Sequence, residues 1–135
     1  VGLGFAQGFG LRRGAVAATV AHDHHNLMVL GCDDVSMMTA ARAVAQAGGG
    51  QCVALGEKVL DLLPLPIAGL MSDERAEIVA AKAEKLKEAM RVVGCTLNNA
   101  YMQHSLLALV VIPELRISDA GIVDVRTFEK VDLFV

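Results

Sequence analysis

At 135 residues the chain is long enough for one domain with its own core, and 54% apolar content with only 4% aromatics makes that core one of Val, Leu, Ala and Met. A formal charge of −3 gives no electrostatic handle for nucleic acid or an anionic membrane surface, so neither is expected as a partner. Three cysteines, Cys32, Cys52 and Cys95, form no CxxC pair and no disulfide framework; they read as small buried hydrophobes in a reducing compartment, the cytoplasm. No charged n-region marks a secretory signal, and the longest apolar run, 106–112, is too short to span a bilayer. The chain starts at Val, not Met, as expected of a piece of something larger.

Residues 1–10 are rich in glycine and read as a lead-in or linker before a single domain over 11–135. Residues 14–21 and 27–30 are small and β-branched runs, expected as two strands joined, or one strand bent, at the segment between them. Asp33 and Asp34 offer N-caps to a helix carrying Met37, Met38, Ala41, Val44 and Ala45 on its inner side, and Gly48-Gly49-Gly50 stops it. A phosphate cradle would place glycines before a helix, whereas these precede a strand. Residues 51–55 and 58–62 read as a hairpin around Gly56-Glu57.

The prolines of 64–71 forbid helix and discourage a central strand, leaving an apolar irregular segment suited to a contact surface or to covering the core. Ser72 is expected to cap a long helix with Asp73 and Glu74 in its first turn. Val79, Ala83, Leu86, Met90 and Val93 form its apolar stripe, Lys82, Glu84, Lys85, Lys87 and Glu88 its solvated face, and Gly94 its end. Strands are expected over 106–112, 115–117 and 122–125, with a turn at 118–121 and a last apolar stretch ending at Phe134-Val135. The order, about ββα-ββα-ββ, implies an α/β fold of α+β character: a two-layer sandwich with a mixed or antiparallel sheet and the helices on one face.

The chemistry concentrates at His22-Asp23-His24-His25-Asn26, a polar cluster between two greasy runs. Burying such groups without partners costs several kcal/mol each, on the order of the whole stability margin. Three readings stand. His22 and His24, alternate on a strand, form a metal pair; a strand end lets His22, Asp23, His25 and Asn26 converge on a ligand; or the cluster is a hydrogen-bonded turn with no ligand. His104, beside Gln103 and Ser105, either joins the cluster in space or serves as a structural donor. No Ser-His-Asp or Cys-His spacing is persuasive. A stand-alone metal- or small-ligand-binding module and a structural oligomerisation domain are both open.

The stretch Gly8-Phe-Gly-Leu-Arg-Arg-Gly-Ala-Val-Ala-Ala-Thr-Val-Ala-His-Asp-His-His-Asn26 resembles the C-terminal domain of microbial adenine deaminases, which carry a similar GFGL-(K/R)-RGA run leading into SVAHDSHN. The resemblance continues through Gly48-Gly-Gly50, Leu63-Pro-Leu-Pro-Ile-Ala-Gly-Leu-Met-Ser72, Val111-Ile-Pro-Glu-Leu115 and Gly121-Ile-Val-Asp-Val125, so it covers the whole chain. His24 stands where the family usually has Ser, which leaves His22, Asp23, His25 and Asn26 as the residues expected to face an active site. Asn99-Ala-Tyr-Met102 and Val110 also depart from the usual pattern.

The resemblance implies an amidohydrolase that converts adenine and water to hypoxanthine and ammonia with a divalent metal, Mn, Fe or Zn. Its ligands sit on a (β/α)₈ barrel, which needs roughly 200 residues or more and does not fit in this chain. The resemblance further implies that this domain packs on that barrel, belongs to a homo-oligomer, and carries neither the metal nor activity of its own.

Overall fold

The computed structural model describes residues 1–134; Val135, the end of the last expected apolar stretch, lies outside them. Four small residues set the architecture. Ala15, Val16, Ala17 and Ala18 of β1 (Ala15–Ala18) are all fully buried, which requires cover on both faces of the sheet they occupy. β1 pairs antiparallel with β2 (Met28–Gly31) on one side and β3 (Gly50–Leu55) on the other, and β3 pairs with β4 (Lys58–Pro64), giving the order β2-β1-β3-β4.

Two helices supply that cover. Ala15, Ala17, Cys52 and Ala54 on one face pack with Ala40 and Val44 of α1 (Asp34–Gln46). Val16, Val53 and Leu63 on the other pack with Leu86, Ala89, Met90 and Val93 of or just after α2 (Ala76–Val92). The antiparallel α+β class is as expected. The placement of the helices corrects the expectation of one helical face, because strands apolar on both sides need a helix on each.

The helix ends follow local chemistry. Asp33 caps α1: its carboxylate accepts the Ser36 N–H at 2.8 Å and the Ser36 hydroxyl at 2.8 Å, and the Ser36 backbone bond holds its pKa below the ordinary carboxylate value. The Ser36 hydroxyl in turn accepts from Gly56 N–H at 2.8 Å, tying this helix to the β3–β4 turn. α1 and α2 both end in a Schellman pattern, with left-handed Gly48 and Gly94 one residue past the cap. Gly49 N–H reaches Val44 O at 2.9 Å and Cys95 N–H reaches Met90 O at 3.0 Å.

Two expected elements are corrected. Ser72 does not cap α2: its hydroxyl accepts the Glu74 N–H at 3.1 Å in a local turn, and the helix starts at Ala76 with Arg75 as N-cap. Residues 106–112 are not a strand. Leu106 closes α3 (Ala100–Leu106), and turns follow it; a seven-residue apolar run does not by its periodicity separate strand from helix end. The expected pair at the C-terminus is present as β5 (Leu115–Ser118) and β6 (Gly121–Asp124). An unanticipated β7 (Glu129–Val131) joins them in a second antiparallel sheet, order β5-β6-β7.

Candidate functional site

Beyond Ala18 the chain leaves the sheet through Thr19, whose N–H donates to Gly50 O at 3.0 Å, and turns at buried Ala21. Residues 22–26 make that turn before the chain re-enters as β2. His25 N–H donates to Ala21 O at 2.6 Å, and His25 sits in the left-handed region at φ 52°. A non-glycine residue held there carries strain of about 1–3 kcal/mol, and Ala68, Asn99 and Phe128 lie in the same region.

The structure packs His22 against His25. The His22 and His25 rings meet edge to face, centroids 5.5 Å apart at 74°, and both residues are half-buried. His24 is exposed, with Nδ1 accepting the Asn26 N–H at 3.3 Å. Alternate residues share a face on a strand, and this segment is a turn, so the strand geometry behind the reading of His22 and His24 as a metal pair is absent. Asp23 and Asn26 are exposed. Among the described residues no three His, Cys, Asp or Glu side chains gather as metal ligands. Among the described residues His25 Nδ1 is enclosed without a hydrogen-bond partner, which leaves Nε2 as the nitrogen open to an incoming group. A half-buried imidazole with one nitrogen open in this way can hydrogen-bond a neutral heterocycle.

The second segment singled out by sequence, 64–71, lies at the same end of the sheet. The Thr19 hydroxyl donates to Gly69 O at 2.6 Å and accepts from Gly50 N–H at 2.9 Å. Leu65 is buried, with its N–H on Gly49 O at 3.0 Å, while Ile67 and Met71 face solvent. Thr19 was not legible as a link, because between Ala18 and Val20 it reads as one more strand residue.

His104 is not part of this cluster. It is fully buried between Phe9 and Tyr101, ring centroids 6.5 and 6.4 Å away, and neither nitrogen has a partner among the described residues. The expected structural donor is a neutral core side chain, its pKa pushed down to about 4 by burial. Tyr101 donates its hydroxyl to Cys52 O at 2.8 Å. Cys52 and Cys95 are buried as expected, and burial pushes the Cys52 thiol up to about 11. Cys32 is exposed, a correction: it follows the edge strand β2, where no helix covers it.

Comparison with known proteins gives a consistent result. The family model of the adenine deaminase C-terminal domain matches residues 1–129. An adenine deaminase of Mesorhizobium japonicum is 62% identical over 132 residues, which is 97% of this chain and 22% of that protein. One of Ruegeria pomeroyi is 59% identical over 130 residues, 96% of this chain and 22% of its own length. One of Desulfatibacillum aliphaticivorans is 50% identical over 134 residues, 99% of this chain and 24% of its own. The chain thus spans less than a quarter of these curated relatives.

Proposed function

The chain belongs to the family of adenine deaminase C-terminal domains, and from that premise we propose that it is the accessory domain of an enzyme hydrolysing adenine to hypoxanthine and ammonia. The observation carrying this is the lopsided coverage: nearly all of this chain matches, against 22% of relatives named adenine deaminase. The remaining polypeptide then holds the catalytic barrel and its Mn, Fe or Zn. The residues of this chain do not fit such an ion, since His24 Nδ1 is engaged by the Asn26 N–H and no three potential ligands gather among the described residues. In this reading residues 11–135 form the domain, 1–10 lead into it, and the enzyme works in cytoplasmic purine salvage as a homo-oligomer.

Within that enzyme the 22–26 turn and the 64–71 loop face the barrel. His25 offers Nε2 to a ring nitrogen of the purine or to the departing amine, and His22 holds the ring in place. The enclosed Nδ1 supports this role, because it leaves Nε2 as the nitrogen of His25 that a ligand can reach. Asp23 and Asn26, both exposed, are available to the same interface.

The test is turnover by the whole polypeptide. Purified full-length enzyme is expected to release hypoxanthine and ammonia in equal amounts from adenine and to lose activity to a chelator, while residues 1–135 alone are inactive. A full-length protein that leaves adenine untouched overturns the proposal, and so does turnover by the 135-residue chain.

A further inference from the structure

Residues 1–6 look like a linker from their glycines, yet they run along the β5–β6 hairpin with alternating faces. Gly2 and Gly4 turn toward it: a Cβ on Gly2 would overlap the Ser118 carbonyl oxygen, and one on Gly4 would lie 2.6 Å from Ile117 Cδ1. The glycines are therefore contact residues. The large apolar side chains point the other way, with Leu3 67% and Phe5 80% exposed, and Phe5 meets exposed Phe134 edge to face at 6.1 Å. A flexible tether gains nothing from this order, whereas a strap pinned on one side and apolar on the other is an unfinished interface.

Beside the strap lies an apolar groove of about 830 Å³ between β2, α1 and the hairpin, with Met28, Met37, Met38 and Leu107 among its walls and 52% of Met38 exposed. Methionines give such a surface an adaptable, polarisable lining. His24 and Asn26 also line it, so the groove is continuous with the histidine turn.

We propose that the Val1-Leu3-Phe5 stripe and this groove are one seat, occupied by the polypeptide that precedes this domain in the family. The chain matches a C-terminal domain and 22% of a relative's length, so in this family most of the polypeptide lies before the domain, on the side of Val1, which lines the groove. Covalent attachment there gives that polypeptide a high effective concentration over the seat. A mostly apolar lining, with Asp34 and Asp119 among its polar members, selects a protein surface that is largely apolar. Seating it brings the 22–26 turn to the same boundary, so the inference rests on the accessory-domain reading above and assigns it a surface.

Hydroxyl-radical footprinting of the full-length enzyme tests this, with Phe128, 71% exposed, as reference. After correction for intrinsic reactivity, Phe5 and Met38 are expected to react roughly fivefold or more slowly than their exposure here implies, as interface-core side chains do. The double variant Leu3→Asp, Phe5→Asp alters only exposed side chains and is expected to restore Met38 labelling. Full labelling of Phe5 and Met38 in the wild type overturns the proposal; so does protection that disappears on dilution as the sedimenting mass halves, which assigns the seat to a second copy. Adenine turnover is measured on the same sample: absent turnover with persistent protection removes the functional reading and upholds the seat, and turnover without protection removes the seat alone.

Discussion

The Thr19 hydroxyl donates to the carbonyl of Gly69 at 2.6 Å across 50 residues of sequence, and through that bond the 64–71 loop is held against the strand end that leads into the histidine turn. The same oxygen accepts from Gly50 N–H at 2.9 Å, so one side chain satisfies backbone groups of two other segments. Thr19→Val keeps the shape and strands both partners, at an expected cost of about 1–3 kcal/mol. Thr19→Ser restores most of it. Urea denaturation of the three proteins checks the order; a Val variant as stable as wild type contradicts it.

Gly48 and Gly49 are both left-handed after α1, but only one is crowded. A Cβ on Gly48 meets nothing within 4 Å, whereas one on Gly49 would run into the Gly69 Cα. Gly48→Ala is expected to cost about 1 kcal/mol, the conformational term alone. Gly49→Ala adds displacement of the 64–71 loop and is expected to cost at least twice that. Equal midpoints for the two variants contradict the packing of Gly49 on Gly69.

Stability is expected to fall in mild acid because of His104. Its folded pKa, about 4, lies below the unfolded value of 6.5. Above 6.5 both states are neutral and nothing is lost; as pH falls from there toward 4 the unfolded chain binds a proton that the folded one refuses. The loss approaches about 3 kcal/mol near pH 4. His104→Leu removes two unpartnered nitrogens and is expected to be more stable than wild type at pH 5, with a flatter stability profile between 4 and 6.5. A wild-type profile flat across that range contradicts a buried neutral His104.

Much of the fold was legible where short-range chemistry decides it. Asp33 as cap, Gly48 and Gly94 as stops and the Gly56-Glu57 turn are local choices, and each is observed. Ser72 misled because a hydroxyl that caps a helix closes an ordinary turn equally well, and the helix starts three residues further on than a Ser72 cap implies. The stretch 106–112 misled because α3 claims only its first residue. The helix division between two faces lay hidden in β1, whose four small residues match either one covered face or two. At the site, the residues were visible and their grouping was not. Pairing His22 with His24 assumed a strand, while the turn pairs His22 with His25.

The left-handed backbone at His25 allows imidazole and backbone to be separated. His25→Gly in the full-length enzyme removes the side chain and relaxes φ 52°, so the melting temperature is expected to stay level or rise slightly. His24→Ser, at an exposed position, is the matched control and is expected to leave turnover unchanged. The direct measurement is kcat/KM for adenine: His25→Gly is expected to lower it by about tenfold or more, the range for losing a positioned hydrogen-bonding or proton-transfer group. A His25→Gly enzyme that keeps wild-type kcat/KM would contradict the placement of His25 at the reaction and leave the domain a purely structural role.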